Sequence, residues 1–149
     1  MEKKIGLACD HAGYEMKEFI AGYLDAKGYD VHDFGCDSPE SCDYPDMAHA
    51  LAESIEKGEV PVGIALCGSG NGISMSLNKH ADVRAALCWN VELAELARQH
   101  NNANVLSLPA RFIDNTEAIA MVDKFLSTNF DPTAERHVRR VAKVAALEK

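Results

Sequence analysis

No Cys-x-x-Cys pair occurs in this sequence, and basic residues are outnumbered, 15 Lys and Arg against 23 Asp and Glu. No stretch reaches the roughly 18 apolar residues that a membrane-spanning helix needs. Each shortage excludes something. The net charge of −8 argues against non-specific binding to nucleic acid or to a membrane surface. A small anionic ligand stays possible, because local fields decide that. The five cysteines, Cys9, Cys36, Cys42, Cys67 and Cys88, are odd in number. They fit a reducing, cytoplasmic setting rather than a disulfide framework, and their spacing offers no zinc site. The opening MEKKIGLACD lacks a long apolar core, so no signal peptide is expected. A composition of 47% hydrophobic and 26% charged residues over 149 positions suits one domain, residues 1–149, with room for a core.

Two nucleotide signatures are also missing. A dinucleotide fingerprint needs G-x-G-x-x-G and an acid closing the next strand. Here the spacing is G-x-G-x-G, and the next strand closes on Cys88-Trp89-Asn90. A Walker loop needs Gly-Lys-Ser/Thr, and Lys79 stands seven residues past the last glycine of the run. What is present is Val62 to Lys79, VGIALCGSGNGISMSLNK. An apolar strand ends at Cys67, Gly68-Ser69-Gly70-Asn71-Gly72 follow, and a helix can start at Ile73. A strand entering a helix through a glycine turn is a place to hold an anion, because free N–H groups and the helix dipole converge there. The same field favours the reactive thiolate of Cys67. Free cysteines are often just small buried hydrophobes, but three glycines within the next five residues favour the functional reading.

Around this stretch, strands alternate with helices. Strands are predicted at Lys4 to Cys9, Tyr29 to Phe34, Val62 to Cys67, Val83 to Cys88 and Asn104 to Leu108. The first helix runs from Tyr14 to Lys27, with Met16, Phe19, Ile20, Tyr23 and Leu24 on one face. Pro45 opens a second, Asn90 caps a fourth, and Asp114-x-x-Glu117 is a capping box for a fifth reaching Thr128. A last helix runs from about Thr133 to the end. This order predicts an α/β fold, a Rossmann-like three-layer sandwich around a five-stranded parallel sheet. Ligands then sit at the carboxyl ends of the strands, near a switch in strand order. Asp10-His11 and the Cys67 turn lie at such ends.

The last helix is basic, with Arg136 and Arg140 on one face. It is either a solvated face or a phosphate clamp, since guanidinium forks match phosphate oxygens. His11 and His100 are candidate acids and bases; His32, His49 and His80 have no comparable company. A cysteine base beside an oxyanion cradle can abstract a proton next to a carbonyl. Acyl transfer through a Cys67 nucleophile uses similar parts, and the residues alone do not choose between the two.

A further set of segments runs the length of the chain: Asp10-His11-Ala12-Gly13, Asp33-Phe34-Gly35, Tyr44-Pro45-Asp46, Cys67 to Ser74, Asn78-Lys79, Arg84-Ala85-Ala86, His100 to Asn104 and Arg136-His137-x-x-Arg140. In this order they resemble the type B ribose-5-phosphate isomerases, a family that includes galactose-6-phosphate isomerase subunits. The resemblance implies reversible conversion of ribose 5-phosphate and ribulose 5-phosphate through a cis-enediolate, with no metal and no cofactor. It implies that Cys67 moves the proton between C2 and C1, and that Gly68, Ser69, Gly70, Asn71 and Gly72 hold the enediolate. His100, with Asp10, would open the furanose ring. Tyr44 and Asn101 would position the sugar, and His11, Arg111, Arg136 and Arg140 the phosphate. It further implies a homodimer with sites at the subunit interface, where the helix from about residue 133 packs. His100, Asn101 and Arg111 would come from the neighbouring subunit. Dimers could pair into tetramers, and no nucleic acid or membrane partner is expected. Some relatives carry a glutamate base directly after the last glycine; that position is Ile73 here, which leaves Cys67. Alternatives are a hexose 6-phosphate (allose or galactose 6-phosphate) as substrate, or a sugar-phosphate-binding protein without turnover.

Overall fold

A computed structural model describes residues 3–146. Five parallel strands, β1 (Lys4–Cys9), β2 (Asp30–Asp33), β3 (Gly63–Cys67), β4 (Ala85–Leu87) and β5 (Val105–Pro109), form one sheet in the order β2-β1-β3-β5-β4. Six helices connect or follow them: α1 (Tyr14–Ala26), α2 (Tyr44–Glu56), α3 (Asn71–Leu77), α4 (Val91–Gln99), α5 (Asn115–Ser127) and α6 (Glu135–Ala145). The expected α/β sandwich is therefore present. The last helix was expected to reach residue 149; positions 147–149 lie outside the described residues. Among the described residues, no helix is long and apolar enough to cross a membrane.

Side-chain size sorts the two faces of the sheet. In a strand, successive side chains point to opposite faces. Ile5, Leu7, Ile64, Leu66, Leu106 and Leu108 face one core with α1, α4 and α5. On the other face stand Gly6, Ala8, Gly63 and Ala65, which are small. That lets α2 approach closely: a Cβ on Gly6 would stand 2.4 Å from Leu51 Cδ1, and one on Gly63 2.9 Å from it. Leu51 is fully buried there, so Leu51→Ala would cost about 2–5 kcal/mol.

The chain leaves β1 toward β2 on one side, while β3 lies on the other side of β1. The switch in strand order therefore falls between β1 and β3. Their carboxyl ends are joined by a hydrogen bond from Asp10 N–H to Leu66 O at 3.1 Å.

Candidate active site

At that switch point the chain turns twice. After β1, residues His11–Gly13 form a single 3-10 turn that the sequence did not announce, because three residues carry no periodicity. Asp10 caps it: its Oδ1 accepts from Ala12 N–H at 2.9 Å and Gly13 N–H at 3.2 Å. The turn rests on β3, since a Cβ on Gly13 would lie 2.7 Å from Leu66 Cβ. His11 is half-buried, and its Nδ1 accepts from Cys42 N–H at 3.3 Å. In the neutral ring the proton then sits on Nε2.

After β3 comes the glycine turn. Helix α3 begins at Asn71, two residues before the expected Ile73, because Gly70 takes φ 80° and turns the chain at once. That left-handed conformation is easy only for glycine. A Cβ there would also meet Leu87 Cδ1 at 2.4 Å. Cys67 is 4% exposed, and Gly70 N–H donates to its Sγ at 3.2 Å. Ser69 is exposed, and its Oγ accepts from Asn71 N–H at 3.2 Å. The cradle was expected to present free N–H groups. Two of them, from Gly70 and Asn71, are instead held by the side chains proposed to do chemistry, so a bound oxyanion must exchange partners with them. Burial is the first cause that raises the thiols of Cys42 and Cys88, each to about 11, and it raises Cys9 as well. These three stay protonated at neutral pH.

Two side chains close over the turn. Tyr44, the first residue of α2, lies against Gly72, where a Cβ would come within 2.4 Å of its Cζ. Arg111 lies against Gly68, where a Cβ would stand 3.2 Å from its Nη1. The backbone fixes it, with Arg111 N–H donating to Gly68 O at 3.1 Å and Ala110 N–H to Cys67 O at 2.9 Å. This corrects the grouping of Arg111 with His100 and Asn101. β5 pairs directly with β3, Pro109 opposite Cys67, so residue 111 arrives at the Cys67 turn of its own chain.

His100 and Asn101 lie elsewhere. Helix α4 runs back across the sheet and ends at His100, whose N–H donates to Leu96 O at 2.9 Å. Asn104 follows, and its carbonyl accepts from Gly63 N–H at 2.9 Å. Gly63 starts β3 and Cys67 ends it, a separation of roughly 13 Å at strand rise. The two residues therefore occupy opposite ends of the sheet. The arginines of α6 belong to the His100 end: His137 stacks on His100 with ring centroids 4.0 Å apart. Arg140 and Asn101 line one cavity of about 740 Å³ with Lys79 and Arg84. Arg84 Nε and Arg98 Nη1 hold the turn between α4 and β5, donating to Asn102 O at 2.8 Å and Ala103 O at 2.5 Å.

The residues singled out thus form two groups in one chain. Asp10, His11, Tyr44, Cys67, Gly68 to Gly72 and Arg111 stand at the carboxyl edge; His100, Asn101, Arg136 and Arg140 stand at the amino edge. His49 and His80, set aside in the sequence, do have company. His49 Nδ1 lies 2.7 Å from His80 Nε2, and His80 Nδ1 lies 2.9 Å from Glu56 Oε1, tying α2 to the turn after α3. His32 has a partner too, with Nε2 3.1 Å from Asp30 Oδ2. Lys17 was also missed: its buried ammonium bonds both oxygens of Asp33 at 2.7 Å and Cys36 O at 2.8 Å. Its helical face alone signals a lysine at a core position.

Comparison with known proteins follows the same lines. The ribose/galactose isomerase family matches residues 5–144. Ribose-5-phosphate isomerase B of Escherichia coli is 40% identical over 146 residues, covering 98% of this chain and 97% of that one. A crystal structure of a ribose 5-phosphate isomerase from Thermotoga maritima superposes with a TM-score of 0.94 at 47% identity, covering 99% of this chain and all of that one. A Mycoplasma genitalium ribose-5-phosphate isomerase B with bound ribulose-5-phosphate superposes with a TM-score of 0.92 at 41% identity, covering 97% and 95%.

Proposed function

This chain belongs to the ribose/galactose isomerase family, and we propose that it interconverts ribose 5-phosphate and ribulose 5-phosphate through a cis-enediolate, with Cys67 as the base. The observation that carries this is the placement of Cys67 Sγ. It sits at the end of β3, bonded to Gly70 N–H, in a turn closed by Tyr44 and Arg111. The Cys67 thiolate takes the proton from C2 of the open-chain aldose, and the electron pair moves onto O1. The turn N–H groups and the Ser69 hydroxyl stabilise that charge. The O2 hydroxyl proton passes to O1, Cys67 returns its proton to C1, and O2 becomes the carbonyl, so nothing is gained or lost. Electrostatic holding of the intermediate and general-base proton transfer account for the rate.

In the same reading, His100, with Asp10, opens the sugar ring, and Tyr44 and Asn101 position the sugar. His11, Arg111, Arg136 and Arg140 hold the phosphate, guanidinium forks matching its oxygens. The active site is shared between two copies in a cytoplasmic homodimer. Support for sharing comes from the separation of His100 and Cys67 to opposite ends of the sheet. A second copy can bring its amino edge to the carboxyl edge of the first. The odd number of cysteines fits a reducing compartment.

The test is turnover of the purified chain on ribose 5-phosphate and allose 6-phosphate, side by side, with EDTA present. A kcat/KM far higher for the pentose is expected. Preference for the hexose would keep the chemistry and change the substrate. Binding of both without turnover would leave a sugar-phosphate-binding protein.

A further inference from the structure

His137 carries no assigned role, yet it is the best-buried polar residue of α6. It is 9% exposed, and its Nδ1 is buried with no hydrogen-bond partner among the described residues. A polar nitrogen in that state is unfavourable, so something other than hydrogen bonding recommends an imidazole here. The ring stacks on His100, at 4.0 Å between centroids and 29° between planes. Offset aromatic packing of this kind favours a defined relative orientation. Among the described residues, no other helix or strand packs extensively against α6. The segment before it is tied to α4 by Asp131 N–H donating to Gln99 O at 3.1 Å, next to His100 in sequence. Arg136 immediately precedes His137, and Arg140 follows one turn later.

We infer that His137 is a positioning residue: its ring is the platform that fixes His100 and sets the distance between that imidazole and the guanidinium groups of Arg136 and Arg140. The assignment rests on the isomerase reading, in which His100 opens the sugar ring while the arginines hold the phosphate. Burial first, then His100, Arg136 and Arg140, push the His137 imidazolium down, with Asp131 opposing. A neutral ring can lie beside the Arg136 and Arg140 guanidinium groups without repelling them. What the site requires is therefore the flat aromatic face, and a benzene ring supplies that face without the unpartnered nitrogen.

The test compares His137→Phe and His137→Ala in the full chain. For His137→Ala, kcat on ribose 5-phosphate should fall about 10- to 100-fold, as small misplacements of catalytic groups do. KM should stay within about threefold, the pattern of a lost transition-state contact. His137→Phe should recover kcat to within about threefold of the parent. The second readout is the His100 ring-proton resonance, assigned by its loss in His100→Asn. It should shift in His137→Ala as the ring current is removed and stay near its parental position in His137→Phe. Should His137→Ala not fold, His137→Leu, apolar but not aromatic, takes its place. Parental kcat in the alanine variant overturns the assignment. So does a phenylalanine variant as slow as the alanine one. Should the parent turn over no sugar phosphate, the isomerase reading fails by itself. The resonance then decides alone: unmoved in His137→Ala it overturns the platform, and shifted it upholds it.

Discussion

The ring of Tyr44 occupies the space where a side chain on Gly72 would stand, with Cζ 2.4 Å and the hydroxyl 2.7 Å from an ideal Cβ. Helix α2 and the glycine turn therefore meet through an aromatic ring lying on bare backbone. Gly72→Ala should displace Tyr44, which is 36% exposed and can swing outward. The fold should persist, while kcat/KM on ribose 5-phosphate falls about 10- to 100-fold through misplacement. Steady-state kinetics beside a thermal melt check this. An active variant would remove Tyr44 from the site.

Cys67→Ala should lose turnover by at least about 10²- to 10⁴-fold, the range of a general base. Ribulose 5-phosphate should still bind within a few-fold of the parental affinity by calorimetry. Retained turnover would exclude Cys67 as the base.

Mixing two inactive variants tests the shared site. Cys67→Ala keeps His100, and His100→Asn keeps Cys67. Unfolded together and refolded, random pairing should restore about one quarter of parental activity, since half the dimers are mixed and each has one intact site. A mixture as inactive as its components would mean that each chain builds its site alone.

The Lys17–Asp33 pair predicts an alkaline limit to stability. Burial pushes the ammonium down, but the hydrogen bond and charge of Asp33, with Cys9 and Glu18, outweigh it and the net shift is upward from 10.5. A raised folded value means the contribution is complete at neutral pH and is lost as pH rises through that value. Lys17 is 1% exposed but Asp33 34%, so Lys17→Met should cost about 3 kcal/mol, the low end for a broken buried pair. Denaturant melts should show this cost at pH 7 and a smaller one above pH 10.5.

His137 predicts the opposite dependence on the acid side. Its folded value lies below 6.5, chiefly through burial, so the unfolded chain takes the proton first. Stability should fall as pH drops below 6.5 and level off once the folded state is protonated too. His137→Phe should show a shallower decline between pH 7 and 5. Asp131 contributes nothing in that window, because Thr133 holds its carboxylate below the usual 3.8. Equal slopes in denaturant melts would mean that His137 titrates as it does unfolded.

The strands were legible in the sequence to within a few residues, because short apolar runs bounded by glycine and polar turns have few alternatives. Asp114 and Glu117 form the reciprocal capping box their spacing announced, and Asn90 caps α4 through Leu93 N–H. Local chemistry fixed both. The placement of β5 between β3 and β4 was not legible, since it follows from pairing between distant segments. That pairing brings Arg111 beside Cys67 instead of beside His100. The Lys17–Asp33 contact was hidden for the same reason, its partners lying on α1 and β2. The site residues stood out as residue types at turns. Their separation into two edges emerged only once α4 was seen to run back across the sheet.

That separation has a kinetic meaning. On the proposed reading, with Cys67 as the base at one end and His100 opening the ring at the other, a chain would be silent by itself. At great dilution the rate should then scale with the square of chain concentration. Newly made copies would begin to work only on meeting one another, so assembly would act as the enzyme's own starting signal.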